Sequence, residues 1–269
     1  KMNLLTFSQD NPLLFTQSLF WVFFAVVLMF YSPLRNKLRA RHFYLLVVSF
    51  LFYYLSSGLF VFLLFVTTVL TYGFGRLLFR LKSTKARKTS LVFGIVVNLF
   101  FLCYFKYAYF IIDIINGCFG ASLQVVNVPA LFANATFGTS FSVDKIVLPV
   151  GISFYTFQAI SYLADIYRRK IAKQPSFVDF AFYLSFFPQL VAGPIVRAED
   201  FLPQLDKPYS LSKAEFSWSV FFILKGLIKK IVISDYISIN FVDRVFDMPL
   251  MYSSFENLIS FFLMLFSAH

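Results

Sequence analysis

Four residues that could do chemistry share one face of a single stretch, LPVGISFYTFQAISYLADIYRR at residues 148–169. Gln158, Ser161, Tyr162 and Asp165 stand at i, i+3, i+4 and i+7, which is the spacing of one helical face. The first half of the stretch is apolar enough to lie in a bilayer, where such groups must turn away from lipid. The pattern therefore predicts either a polar seam that joins helices or the lining of a polar passage or substrate cavity.

A second unusual stretch, DFAFYLSFFPQLVAGPIVRAEDFLPQL at residues 179–205, combines apolar residues with helix breakers. Pro188, Gly193, Pro194 and Pro203 interrupt any continuous helix, and Gln189 adds a polar group near the break. Broken helices inside a membrane occur where protein or a water-filled cavity takes up the freed backbone groups. The stretch is predicted to be either such a broken, site-lining helix or a plain loop.

The elements that must position these residues are membrane helices. Of the 269 residues, 59% are hydrophobic and only 14% are charged, against about 25% charged residues in a typical soluble domain. Several uncharged runs reach the roughly 20 residues that span a bilayer core. The predicted fold class is all-α, a polytopic integral membrane protein with broken or re-entrant helices.

The net charge of +11 comes from basic residues that cluster between the apolar runs, which is the pattern of cytoplasmic loops. The sequence shows no recognised module that combines stacking aromatic residues with a basic surface, so nucleic acid is excluded as a partner. Cys103 and Cys118 form neither a metal-ligand spacing nor a disulfide framework, and no metal site is predicted.

The apolar runs and the basic clusters together predict the membrane topology. As one helix, residues 43–75 would be about 50 Å long, well beyond a bilayer core of about 30 Å. A hairpin that turns at Ser56-Ser57-Gly58 keeps the two flanking basic loops on one side. Residues 216–233 are amphipathic, and either crossing the bilayer or lying in the interface fits them. The other predicted membrane segments are residues 13–31, 91–115, 146–164, 177–192 and 254–268.

The sequence also gives predictions for three single residues and for two loops. Lys106, inside an apolar run, is expected to extend toward the interface beside aromatic residues. His42 stands beside a basic loop and is expected at headgroup level, and His269 is not expected to be catalytic. Residues 116–145 are predicted to form a loop on the outside, and residues 197–215 a surface or cavity-lining loop.

The two unusual stretches also resemble a known family. The segments LPVGISFYTFQAISYLADIYR, FYLSFFPQLVAGPIVR and KGLIKKIVISD, in this order and preceded by FKY at residues 105–107, resemble the membrane-bound O-acyltransferases (MBOAT). The branch that they are most similar to is the bacterial one that includes alginate O-acetylase and the D-alanyl transferase of teichoic acids. The resemblance covers approximately residues 90–240.

The resemblance implies a helical bundle around a tunnel across a thinned bilayer. An acetyl or other short acyl group would pass from a cytoplasmic donor to a hydroxyl of an extracytoplasmic polysaccharide or cell-envelope polymer. In the family a histidine is the general base for that hydroxyl, and it is expected beyond residue 269, so no catalytic residue is assigned here. The candidates for lining the tunnel or substrate site are Ser153, Gln158, Ser161, Tyr162, Asp165, Gln189, Gly193, Pro194 and Arg197.

The same resemblance implies the partners and the location. The co-substrate would be acetyl-coenzyme A or an acyl-carrier protein on the cytoplasmic side, with no bound cofactor. The other partners would be membrane lipid, the extracytoplasmic glycan and periplasmic accessory proteins, at the bacterial inner membrane. Residues 1–269 would form a single membrane domain, the N-terminal half of a longer enzyme and inactive by itself.

Two other classes of function remain open from the sequence. A transporter or flippase could use broken helices to line its substrate path, although no second copy of LPVGISF or AGPIV is present. A catalytically inactive membrane scaffold would explain the missing histidine region.

Overall fold

The computed structural model describes residues 18–137, 143, 146–190, 193–207 and 210–267, and these residues form helices with no strand among them. The predicted all-α class is confirmed. The helices are α1 (Ser18–Leu34), α2 (Leu38–Ser57), α3 (Val61–Arg80), α4 (Thr84–Leu102), α5 (Ala108–Phe119), α6 (Val128–Phe137), α7 (Ile152–Tyr167), α8 (Phe177–Ser185), α9 (Phe187–Leu190), α10 (Ala198–Leu205), α11 (Lys213–Ile228), α12 (Asp243–Asp247) and α13 (Ser254–Ser267).

Two helical runs of the described chain are long and apolar enough to cross a membrane. They are Leu38–Arg80, with 43 residues, and Thr84–Phe119, with 36 residues. Shorter apolar helices cover Leu19–Leu34 and Ser254–Met264. Helix α11, whose crossing was left open, is not among the long runs.

The run Leu38–Arg80 folds back on itself at Gly58. Gly58 ends α2 with φ of +60°, a conformation that suits a residue without a Cβ, and one 3₁₀ turn leads into α3. The rings of Phe50 and Phe65 lie 6.4 Å apart, whereas 15 residues of straight helix would separate them by about 22 Å. The turn predicted at residues 56–58 is therefore confirmed.

The run Thr84–Phe119 contains one π turn, Cys103–Tyr107, between α4 and α5. Its Lys106 does not simply extend along the helix: Nζ donates to Ser153 Oγ at 3.1 Å and lies 5.5 Å from the centre of the Tyr107 ring. The aromatic neighbour agrees with the expectation for Lys106, but the contact with α7 was not predicted.

Helix α7 packs closely against α3 and α4 because both offer a glycine at the contact. A Cβ on Gly75 of α3 would lie 2.7 Å from Cε1 of Tyr162, and one on Gly94 of α4 would lie 2.8 Å from a methyl of Leu163. Small residues that allow such close approach are typical of helix pairs in membranes. Tyr162 and Leu163 are fully buried in the main core.

The first turns of α2 form a buried polar junction with other helices. His42, expected at headgroup level, is 5% exposed and therefore packed among protein groups, and its depth in the membrane stays a prediction. Its Nδ1 lies 2.6 Å from Asp179 Oδ1 of α8, and its Nε2 lies 3.0 Å from the Leu205 carbonyl at the end of α10. Arg41 also donates to the Leu205 carbonyl. His42 is more than 130 residues away in sequence from Asp179 and Leu205, so no local sequence pattern could predict these contacts.

Both predicted loops contain a helix. Residues 116–145 include α6, and residues 197–215 include α10, where mixed charges had indicated a loop. Helix α10 begins with Glu199 and Asp200 in its first turn, where acidic side chains favour the helix dipole. Its Phe201 and Leu202 pack against the core, so tertiary burial explains the helix.

The described chain divides into two compact units. The first contains the described residues from Phe23 to Lys207, including α2 to α10. The second contains the described residues 18–22 and 210–267, with α11 to α13. In the second unit Ser212 and Glu215 form a capping box that begins α11, and Glu215 bonded to this cap has a lowered pKa.

The packing of α7 predicts the effect of one methyl group on α3. Gly75→Ala should lower the stability of the full-length protein by about 1–3 kcal/mol, because Tyr162 occupies the space of the new Cβ. Its apparent Tm in detergent should fall by several degrees. Gly73→Ala is the matched control, since a Cβ there meets nothing within 4 Å in the same helix. Equal Tm values for the two variants would contradict this packing.

Candidate substrate-lining site

The turn in LPVG is held by α2 through both backbone polar groups of one residue, Val150. Tyr53 donates from its hydroxyl to the Val150 carbonyl at 2.9 Å, and the Val150 N–H donates to Ser57 Oγ at 3.1 Å. Gly151 follows with φ of +72°, and the Leu190 carbonyl lies in the space that a Cβ would fill. Glycine is required here both by φ and by this contact, and α7 begins at the next residue.

The second stretch is a broken helix, as predicted, but Pro203 does not break it, since this residue lies inside α10. Helix α8 ends at Ser185, and α9 covers only Phe187–Leu190, so the break lies at Phe186. Gln189 is buried, and its Nε2 donates to the Tyr183 carbonyl at 3.0 Å, a backbone group next to the break. Gly193 packs directly on the Gln189 backbone. The plain-loop alternative is therefore wrong for residues 177–190.

A tyrosine of α8 fixes the chain that follows the break. The Tyr183 hydroxyl donates to the Val196 carbonyl at 2.9 Å, and the next helix, α10, begins at Ala198, which is fully buried. The contact between Gly151 and Leu190 then joins the two motif stretches. The structure thus brings LPVG and FPQL together, which sequence spacing alone did not predict.

The polar stripe of α7 is buried, as the spacing predicted, except at Ser161. Gln158, Tyr162 and Asp165 are 1%, 0% and 3% exposed, and Ser161 is half-buried. Tyr162 is packed between Gly75 and the ring of Phe180, whose centre is 4.3 Å from its own. At this residue the stripe is a seam between packed helices.

Three atoms of the stripe nevertheless make no hydrogen bond to any described residue. They are Gln158 Oε1, the Tyr162 hydroxyl and Asp165 Oδ2. Leaving a buried polar group unpaired costs about 1–3 kcal/mol, and buried polar groups in proteins are as a rule paired with protein or ordered water. The buried face therefore keeps hydrogen-bonding capacity that no described residue uses, and its role as a lining stays a prediction.

Charged residues collect at the C-terminal end of this stripe. Asp165 interacts electrostatically with Glu199, Arg197 and Lys170. Lys170 donates to Glu199 Oε1 at 2.8 Å, and Arg197 donates to the same oxygen at 3.3 Å. The hydrogen bond from Lys170 is the main cause of the lowered pKa of Glu199. Arg197 is thus paired and exposed at the rim rather than enclosed.

The remaining candidates differ in how closely they join the site. Ser153, in the first turn of α7, accepts the hydrogen bond from Lys106, so a cation stands at one end of the helix. Pro194 is exposed, and its place in a lining stays a prediction. Sequence reasoning missed Tyr53 and Ser57, which hold the turn, because aromatic and small residues in an apolar run carry no signal of a distant partner.

The structure describes only one of the two histidines, His42. His42 is engaged with Asp179 and the Leu205 carbonyl, as described above. His269 lies outside the described residues. The site as described offers hydroxyls, amides, the carboxylates of Asp165 and Glu199, and cations at both ends of α7, groups that can bind and orient a polar substrate.

Comparisons with known proteins agree with the resemblance stated from the sequence. Residues 167–269 match the family model described as MBOAT, membrane-bound O-acyltransferase family. The probable alginate O-acetylase AlgI of Pseudomonas aeruginosa is 34% identical over 200 residues, 73% of this chain and 35% of the relative. The AlgI of Azotobacter vinelandii is 35% identical over 203 residues, 73% and 37% of the two chains.

A relative of another kind is the peptidoglycan O-acetyltransferase of Helicobacter pylori. It is 27% identical over 242 residues, which are 80% of this chain and 41% of the relative. The chain thus spans between 35% and 41% of the length of these three relatives. No solved structure matches the chain.

The junction of the two stretches predicts unequal effects of alanine at two glycines with similar φ. Gly151→Ala should lose folded full-length protein in membranes, because strain at positive φ adds to overlap with the Leu190 carbonyl. Gly120→Ala carries only the strain, about 1–2 kcal/mol, since φ is +61° and a Cβ there meets nothing within 4 Å. Fluorescence-detected size exclusion of tagged protein measures both. The same yield from the two variants would mean that the contact is unimportant.

Proposed function

Residues 167–269 of this chain belong to the membrane-bound O-acyltransferase family, and on that premise we propose that the whole protein is a multi-pass membrane O-acyltransferase. The observation that carries the proposal is the junction in which the Gly151 turn meets the broken helix at Leu190, beside the buried polar face of α7. A membrane protein tolerates broken helices where they border a site or cavity. We infer that this junction is part of the wall of the acyl-transfer tunnel.

The proposed acceptor is a hydroxyl of an extracytoplasmic polysaccharide, and the proposed acyl group is acetyl. Support comes from two kinds of relative, named for O-acetylation of alginate and of peptidoglycan, both of them cell-envelope or secreted glycans. A sugar hydroxyl both donates and accepts hydrogen bonds, so unpaired amide, hydroxyl and carboxylate oxygens are suitable contacts for it.

The proposed donor arrives at the cytoplasmic side as acetyl-coenzyme A or a charged acyl-carrier protein. Both carry phosphate, and most of the cations lie at the ends of the apolar helices and in the connections between them. Under the positive-inside rule these helix ends face the cytoplasm of a bacterial inner membrane. The basic residues around the α3–α4 connection and after α7 are Arg76, Arg80, Lys82, Lys85, Arg87, Lys88, Arg168, Arg169, Lys170 and Lys173.

The reaction needs a general base at the acceptor hydroxyl. Histidine suits this task because its ordinary pKa lies near neutral pH. In this proposal the base is a residue outside the described part of the chain. Any periplasmic partner that receives the product is a separate protein. The part of α7 and α8 described above acts by holding the substrate and by excluding lipid from its path.

The proposal predicts that a buried carboxylate of the stripe is needed for transfer. Asp165→Asn in the full-length gene should lower acetyl transfer roughly ten- to a hundredfold, because a displaced substrate reacts that much more slowly. Membranes are incubated with labelled acetyl donor, and label in the polysaccharide is counted. Asp113→Asn, at an exposed aspartate of α5, should leave transfer at the wild-type rate.

Protein amount in the same membranes is measured by blotting, so that a folding loss is not mistaken for lost transfer. Membranes from cells that lack the gene set the background. Transfer that is as high without the gene as with it would refute the enzyme. Normal transfer by folded Asp165→Asn protein would refute the assignment of α7 to the tunnel wall, but it would not refute the enzyme.

A further inference from the structure

A small cavity lies apart from the polar stripe, where α3, α4 and the end of α7 meet. Its volume is about 220 Å³. Two arginines, Arg87 and Arg169, share the cavity with the apolar side chains of Leu78, Phe79, Ile166 and Ile171. The cavity therefore combines two guanidinium groups with an apolar wall.

Arg87 is held in a fixed direction inside this cavity. One of its terminal nitrogens, Nη2, donates to the carbonyls of Ile166 at 3.1 Å and Tyr167 at 3.0 Å. Its guanidinium carbon also lies 5.8 Å from the centre of the Tyr167 ring. These contacts leave Nε and Nη1 as donors, and neither contact neutralises the charge. A guanidinium oriented in this way is ready to bind an anion.

Arg169 adds a second cation in a conformation that costs energy. Its φ is +61°, and it is the only residue other than glycine with positive φ in the described chain. Its N–H donates to the Ile166 carbonyl at 3.0 Å and so ends α7. Asparagine or glycine would adopt this φ at less cost. No ion pair joins Arg87 or Arg169 to a carboxylate of the described residues.

The size and the surroundings of the cavity select the kind of anion. Sites for whole small molecules measure about 300–1,000 Å³, so a cavity of about 220 Å³ suits a headgroup better than an entire donor. It lies where the long apolar runs Leu38–Arg80 and Thr84–Phe119 approach each other in sequence, at Arg80 and Thr84. The neighbouring Lys82, Lys85 and Lys88 raise the local positive charge.

We propose that this cavity binds the phosphate of an anionic phospholipid from the cytoplasmic leaflet, between the guanidinium groups of Arg87 and Arg169. The apolar wall then contacts the first part of the acyl chains. Basic pockets between membrane helices on the cytoplasmic side are a recognised form of lipid recognition. The proposal depends on the chain being a membrane protein and is independent of acyl transfer.

The test measures the lipid retained by purified full-length protein. Protein in mild detergent is equilibrated with equal amounts of phosphatidylglycerol and phosphatidylcholine, passed over a size-exclusion column and analysed for bound lipid by mass spectrometry. Wild-type protein should retain phosphatidylglycerol in preference to phosphatidylcholine. Arg169→Asn should lower this preference about fivefold, the effect of one lost cation at a membrane surface.

The controls separate a built site from a merely basic surface. Arg80→Asn removes the same charge from an exposed position that does not line the cavity, and it should keep the wild-type preference. Arg169→Gly repeats the test with a residue that fits positive φ, so at least one variant should remain folded by its elution volume.

Three outcomes would overturn the proposal. The first is a preference unchanged in Arg169→Asn and Arg169→Gly. The second is an equal loss in Arg80→Asn, which would indicate a diffuse charge effect. The third is release of phosphatidylglycerol by millimolar inorganic phosphate, which would assign the site to a free phosphate instead of a lipid.

Discussion

The backbone of Val150 is the point on which the described site depends. Tyr53 donates to its carbonyl and Ser57 accepts from its N–H, so two backbone groups that lipid could not satisfy are both paired with side chains of α2. This pairing sets where the Gly151 turn lies and therefore where α7 begins. The start of a helix decides which side chains share each face, so two side chains of α2 determine the direction of the polar stripe.

The sequence left two interpretations of the stripe open, and the structure describes the seam. Tyr162 is wedged between Gly75 and Phe180, where it joins packed helices. Gln158 and Asp165 flank Tyr162 on the same face, and each is buried with one oxygen that no described residue pairs. The lining is the proposal that would give these two oxygens a partner.

Local sequence patterns predicted the helices and their breaks, but they could not predict contacts between residues far apart in sequence. The spacing of the stripe, the break near Pro188 and the turn at Gly58 are all properties of a few neighbouring residues. The pairs His42–Asp179 and Lys106–Ser153 join side chains 137 and 47 residues apart. Helix α10 was missed for the opposite reason, since its charged residues suggested solvent while Phe201 provided the burial.

The π turn at Cys103–Tyr107 has a consequence for how this helix can vary among related chains. A π turn holds one residue more than an α turn, and each residue rotates a helix by about 100°. The faces of α4 and α5 are therefore out of phase, and Lys106 sits at the change. Deleting a single residue there would replace the π turn by an α turn and leave the faces of α5 directed as they are, because the π turn already absorbs the extra residue. Insertions and deletions of one residue, normally confined to loops, have a permitted place inside this helix.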